Sequence, residues 1–192
     1  MEKIRSFIAI KLPQDAIVRL AAVQAELRQH TDCPVQWVAP QGIHLTLKFL
    51  GNISTSQIPQ ITGALEDTVK GITPFSLAIN GLGFFPGPAR IQVVWIGIKG
   101  QTEILAGLQT RLEKTLARLG FPAEKKPFRP HLTLGRVRDR ATPAARQNLI
   151  EAIAKSRAAP DATFAADALA LMQSTLTPAG AIYQQLASIM LQ

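Results

Sequence analysis

Two similar lobes of mostly antiparallel sheet, with helices outside and a central cleft between them, form the α+β fold that this 192-residue sequence predicts. Three observations carry the expectation. The tetrapeptide His-Leu-Thr-Leu occurs twice, starting at His44 and at His131. Chance places Leu-Thr-Leu after a given His only about one time in a thousand, so the pair signals an internal repeat. Strand-like and helix-like segments alternate along the chain, and no linker between them is long enough to divide it. Residues 1–192 are therefore expected to form one bilobal domain.

The elements follow in order. Residues 4–12 are mostly apolar and read as a strand; Pro13 then opens a helix whose apolar positions Ile17, Leu20, Ala21, Val23 and Leu27 keep helical spacing. A short strand near 36–38 leads through the turn Pro40-Gln41-Gly42 into a strand over 43–50, bounded by Gly51. Ser54-Thr55-Ser56 is a capping signal for a helix with Ile58, Ile61, Leu65 and Val69, stopped by Gly71. Strands are predicted over 75–79 and 91–98, separated by a Gly/Pro-rich loop at 81–88 beside the site. Leu105, Leu108, Leu112, Leu116 and Leu119 mark a helix over 103–119, with Gly120 as its stop. The turn Phe128-Arg129-Pro130 delivers a strand over 131–137. Thr142-Pro143 starts a helix to about residue 158, and strands near 168–174 and 182–187 close the chain.

Composition bounds the function. Hydrophobic residues make up 47% of the chain, ample for a core, yet no apolar run approaches the roughly 20 residues that span a bilayer. The opening Met1-Glu2-Lys3 fits a first strand better than a secretory signal, so a cytoplasmic protein with no membrane association is expected. The single cysteine, Cys33, permits neither an internal disulfide nor a zinc ribbon and reads as packing. The net charge of +8 raises the odds of a polyanionic partner. Its distribution says more: from Arg111 to Arg146 there are ten basic residues against Glu113, Glu124 and Asp139, so most of the excess surrounds the second motif.

Side chains alternate across a strand, so His44 shares a face with Thr46, and His131 with Thr133, while the leucines point the other way and anchor the strand. Each motif thus offers an imidazole beside a hydroxyl. If a pseudo-twofold relates the lobes, the two pairs converge on one ligand, and a phosphorus centre is the natural candidate. One His takes a proton from water, the other gives one to the departing oxygen, and the Thr hydroxyls donate to non-bridging oxygens. A metal centre fits poorly, because two histidines fall short of three or four ligands and no Asp, Glu or Cys adjoins either motif. His30 lacks such a setting and reads as a surface residue.

The sequences His44-Leu-Thr-Leu-Lys-Phe-Leu-Gly51 and Pro130-His-Leu-Thr-Leu-Gly-Arg136 resemble the two-histidine phosphoesterase superfamily, and within it the RNA 2′,3′-cyclic phosphodiesterases, historically called 2′-5′ RNA ligases. Trp37-Val38, Gly81-Leu-Gly-Phe-Phe-Pro86 and the segment 174–183 share the likeness, which covers nearly the whole chain. The resemblance implies a bilobal fold and metal-free, cofactor-free hydrolysis of a terminal 2′,3′-cyclic phosphate to a 2′-phosphate. It further implies His44 as proton donor to the 3′ oxygen and His131 as the base that activates water, an order the identical motifs cannot supply. It implies substrate contacts from Phe49 and Arg136, five positions after each His. Strict alternation puts both on the opposite face, so reaching the ligand requires a bulge or a strand end, and Phe49 otherwise reads as core. Arg129 is a further candidate for guiding RNA. No phosphate loop or ligase lysine motif is present, so any 2′-5′ ligation is the ATP-independent reverse reaction. The expected partner is RNA with a cyclic phosphate end, tRNA fragments among its sources, bound by a monomer.

Two other readings remain at this stage. One is a relative acting on small cyclic nucleotides or ADP-ribose cyclic phosphate. The other is a non-catalytic RNA-binding module, against which the 6% aromatic content counts mildly, since single-strand binders need stacking surface.

Overall fold

In a computed structural model, residues 3–156, 162–178 and 180–192 are described. The elements run β1 (Lys3–Lys11), α1 (Gln14–His30), β2 (Val35–Trp37), β3 (His44–Ser54), α2 (Ile58–Val69), β4 (Phe75–Phe85), β5 (Val93–Gly100), α3 (Thr102–Ala117), β6 (His131–Val137), α4 (Pro143–Lys155), β7 (Ala162–Ala166), β8 (Ala168–Thr177) and β9 (Gly180–Met190).

The strands form one sheet in the order β7-β4-β5-β6-β3-β1-β8-β9, with β2 also paired to β6. All its pairings are antiparallel. The two lobes meet where β3 pairs with β6 at Leu45 and Leu132. Strand order is symmetric about that pair: β3 matches β6, β1 matches β5, β8 matches β4 and β9 matches β7. Neither lobe is a continuous piece of chain, because β4 joins β5 and β6 while β8 and β9 return to β1. That exchange explains why no linker interrupts the sequence.

One face of the sheet is covered by helices, α1 lying against α4 and α2 against α3. Helix α1 docks there because Ala16, Leu20, Val23 and Leu27, spaced three or four apart, are buried. Strand β1 is buried on both faces. Ile4, Ile8 and Ile10 enter the main core, whereas Phe7 and Ala9 form a second cluster with Ala170 and Met172. That second cluster floors the cleft on the β3 side. Among the described residues no helix is long and apolar enough to cross a membrane.

Four expectations need correction. Strand β3 does not end at Gly51 but runs to Ser54, and the segment expected as a loop from Gly81 continues β4 as far as Phe85. Both glycines take positive φ, 73° and 68°, where the register slips, so a residue type that reads as a terminator instead permits a bulge within the strand. Strand β7 is unanticipated, because alanines give it little strand signature. Helix α4 ends at Lys155 with Ser156 as its C-cap, short of the expected end near residue 158, and residues 157 and 158 lie outside the described residues.

Candidate active site

In β3, half-buried His44 and Thr46 alternate with buried Leu45 and Leu47; in β6, half-buried His131 and Thr133 alternate with buried Leu132 and Leu134. Leu45 and Leu132 pair across the junction, on the core face. The four polar side chains therefore lie on the cleft face around that pair. Continuing the antiparallel register sets Thr133 across from His44 and His131 across from Thr46.

Both imidazoles are oriented in one way. Nδ1 of His44 donates to the Gly42 carbonyl at 2.7 Å, and Nδ1 of His131 donates to the Arg129 carbonyl at 2.7 Å. A carbonyl only accepts, so Nδ1 carries hydrogen in each ring and Nε2 is left to exchange a proton.

Their surroundings differ. His44 stacks on Phe7 with centroids 4.6 Å apart, and Tyr183 meets it edge-on at 4.9 Å. His131 instead meets the edge of Phe85 at 5.2 Å, and Phe85 stacks on Trp95 at 5.0 Å. Gly83 makes room for that indole, since a Cβ there would lie 2.3 Å from the Trp95 ring. Burial lowers the His44 pKa, and the Gly42 hydrogen bond offsets only part of the shift. In an NMR titration of the free protein, His44 is expected to titrate below the ordinary value of about 6.5. The sign for stability follows. The unfolded chain binds the His44 proton more readily, so this contribution is present above about pH 6.5 and fades as pH falls through the lowered folded value. His44→Gln should therefore flatten the acid side of a urea-unfolding series, and an unchanged slope would contradict the burial effect.

The bulges settle where the fifth residue after each His lies. Phe7 pairs with Phe49 and Ile8 with Lys48, but Ala9 pairs with Thr46, so Leu47 is the extra residue in β3. In β6, Val94 pairs with Gly135 and Trp95 with Thr133, so Leu134 is the extra residue. Both motifs thus bulge at their last leucine. Alternation shifts phase there: positions 47 and 48 are both buried, as are 134 and 135, while Phe49 and Arg136 emerge exposed on the cleft face. Phe49 lies 6.1 Å from Phe7, centroid to centroid, beside the His44 stack.

Buried Gln24 of α1 braces the β6 bulge. Its Nε2 donates to the Leu134 and Val38 carbonyls, both at 2.8 Å, and the Val38 amide also donates to Leu134 at 2.9 Å. Gln24→Met removes both amide hydrogen bonds. It is expected to cost about 1 kcal/mol in urea unfolding, the net worth of a lost hydrogen bond, because Leu134 keeps the Val38 amide as a donor. A change below about 0.5 kcal/mol, the range of ordinary surface substitutions, would mean that the brace is dispensable. Sequence alone hides this residue because its only signal is a polar side chain on the apolar stripe of a helix.

The other predicted residues fall as follows. Arg129 enters through its carbonyl, and its side chain is exposed. His30 is exposed, with Nδ1 bonded to the Glu26 carbonyl. Cys33 is buried and free, and burial raises its thiol pKa. Phe7, Tyr183, Phe85 and Trp95 around the histidines are not apparent from the sequence, because they come from strands whose registers depend on the bulges. Among the described residues no group of three or more His, Cys, Asp or Glu is placed to hold a metal ion.

The chain is 34% identical over 181 residues to an RNA 2′,3′-cyclic phosphodiesterase of Methanothermobacter thermautotrophicus, covering 94% of this chain and 95% of that protein. It is also 34% identical to one of Thermotoga maritima, covering 95% and 92%. The structure is similar to that of E. coli LigT complexed with 3′-AMP, with a TM-score of 0.75, 25% identity and 99% of each chain covered. A Thermus thermophilus structure gives the same score and identity over 97% of each chain. The sequence matches the family description over residues 12–177, which span both motifs, and the chain belongs to the 2′-5′ RNA ligase superfamily.

Proposed function

We propose that this protein is an RNA 2′,3′-cyclic phosphodiesterase that hydrolyses the cyclic end to a 2′-phosphate by two-histidine acid–base chemistry. The observation that carries the reading is the matched pair of imidazoles. Each has Nδ1 held by the carbonyl two residues earlier, and each shares the cleft face at the β3–β6 junction with a threonine. The names of relatives at 34% identity over most of the chain support the same reading.

In this mechanism Nε2 of His131 takes a proton from water as its oxygen attacks phosphorus. The bond from phosphorus to O3′ breaks, and Nε2 of His44 protonates O3′, leaving the phosphate on O2′. Thr46 and Thr133 donate hydrogen bonds to the non-bridging oxygens, where charge builds in the transition state. Arg136 adds a fixed positive charge on the same face, Phe49 offers a surface for the terminal base, and Arg129 guides the strand. No step calls on a metal ion or a cofactor. Burial lowers the proton affinity of His44 in the free protein, and the substrate's phosphate anion supplies the attraction that charges it. Ligation is the reverse direction, with an RNA 5′-hydroxyl in place of water.

One chain supplies both histidines, which supports action as a monomer; the expected setting is the cytoplasm, on RNA ends such as those of tRNA fragments. The test is an oligoribonucleotide bearing a 2′,3′-cyclic phosphate, incubated with the protein and a chelator. A 2′-phosphate product is expected. A 3′-phosphate, or no turnover, would overturn the reading.

A further inference from the structure

Past the second motif, the cleft face continues into an open groove of about 410 Å³ lined by Gln36, Arg136, Val137, Arg138, Asp139 and Arg140. Gln36 pairs with Arg136 across the β2–β6 ladder, so both side chains lie on the cleft face. Beyond Val137 the chain turns: the Arg138 amide donates to the Pro34 carbonyl at 2.9 Å, and the Ala141 amide donates to the Arg138 carbonyl at 3.0 Å. The turn sets exposed Arg138 and Arg140 around the groove. Three guanidiniums face a single carboxylate there, and among the described residues none of the three forms a salt bridge or a side-chain hydrogen bond. The groove adjoins the site through Arg136, which lines it and emerges on the cleft face of β6 past the second motif.

We infer that this groove binds the phosphodiester backbone of the nucleotides preceding the cyclic end, with Arg138 and Arg140 as its phosphate contacts. The inference rests on the proposed activity for its chemistry, but neither histidine lines the groove. Unpaired guanidiniums suit the site because they bind phosphate oxygens in bidentate pairs and shed little hydration in doing so. A single cyclic nucleotide bound at the histidines carries no second phosphate to place there.

The test compares the intact protein with an Arg138→Ala/Arg140→Ala variant. The readout is the ratio of kcat/KM on a cyclic-ended oligoribonucleotide to that on a cyclic mononucleotide. The wild type is expected to favour the oligonucleotide, and the variant to lose about tenfold of that preference. Anisotropy binding of an oligoribonucleotide with an ordinary 3′-hydroxyl end gives a second measure that needs no turnover. The slope of log affinity against log salt should fall by about 1.4, since each single-strand phosphate contact contributes about 0.7. An Arg138→Lys/Arg140→Lys variant should retain most of that slope. Equal slopes in the wild type and the alanine variant, or no oligonucleotide preference in the wild type, would overturn the inference. Weakened binding without turnover of any cyclic phosphate would sustain it and overturn the proposed activity instead.

Discussion

Replacing His131 with alanine is expected to lower kcat/KM on a cyclic-ended oligoribonucleotide by about 10²–10⁴-fold, the usual contribution of a positioned general base. The ring's Nδ1 is committed to the Arg129 carbonyl, so deleting the ring removes Nε2, the proposed proton acceptor, together with the edge contact to Phe85. His44→Ala should lose a comparable amount, but the two losses should not multiply. Acid and base serve one displacement, and once either is gone the other assists a step that no longer proceeds by that route. The double variant is therefore expected within about tenfold of the worse single variant. The pH profile separates the roles. The parent should give a bell, and each variant should lose the limb set by its missing group. Circular dichroism and urea unfolding must show the variants folded, which matters most for His44 because it is stacked on Phe7. Full activity in the double variant would end the two-histidine mechanism.

The motif pair, the lobes and the common face of histidine and threonine are legible from local sequence because strand alternation needs only neighbours. The bulges are not legible in that way. Leu47 and Leu134 resemble any strand leucine, and their status as extra residues exists only in the pairing with β1 and β5. Everything that depends on phase past the motif is hidden with them: the emergence of Phe49 and Arg136, the placement of Phe7 and Trp95, and the brace from Gln24. The glycine-rich segment from Gly81 misleads for a related reason. Glycine serves a bulge as well as a loop, and only the ladder with β5 tells them apart. The closing hairpin that supplies Tyr183 is readable as two strands, but not its arrival beside His44.

Glu113→Leu is expected to be strongly destabilising although it lies outside the cleft. Lys48 follows the β3 bulge residue, and its side chain is only 1% exposed. Its Nζ lies 2.6 Å from Oε2 of Glu113 in α3 and donates to the Pro122 carbonyl at 2.8 Å. The second Glu113 oxygen accepts from Gln109 at 3.0 Å. The pair thus ties β3, beside the first motif, to α3 and to the segment that follows it. Removing the carboxylate leaves a buried ammonium with one carbonyl for company, and breaking such a pair costs about 3–5 kcal/mol. Lys48→Met should cost less, because Glu113 is 12% exposed and keeps Gln109 as a donor. The Lys48→Met/Glu113→Leu double variant removes both charges together and should recover much of the Glu113→Leu loss, as apolar replacements of buried pairs commonly do. Urea midpoints of the three variants close the cycle. A coupling energy under about 0.5 kcal/mol, the scatter of independent sites, would show that the pair is not a unit. Activity adds a second reading. If the pair also holds the phase of the bulge, a folded Lys48→Met/Glu113→Leu variant should raise KM through misplaced Phe49 while leaving the bell-shaped profile intact, since neither imidazole touches the pair.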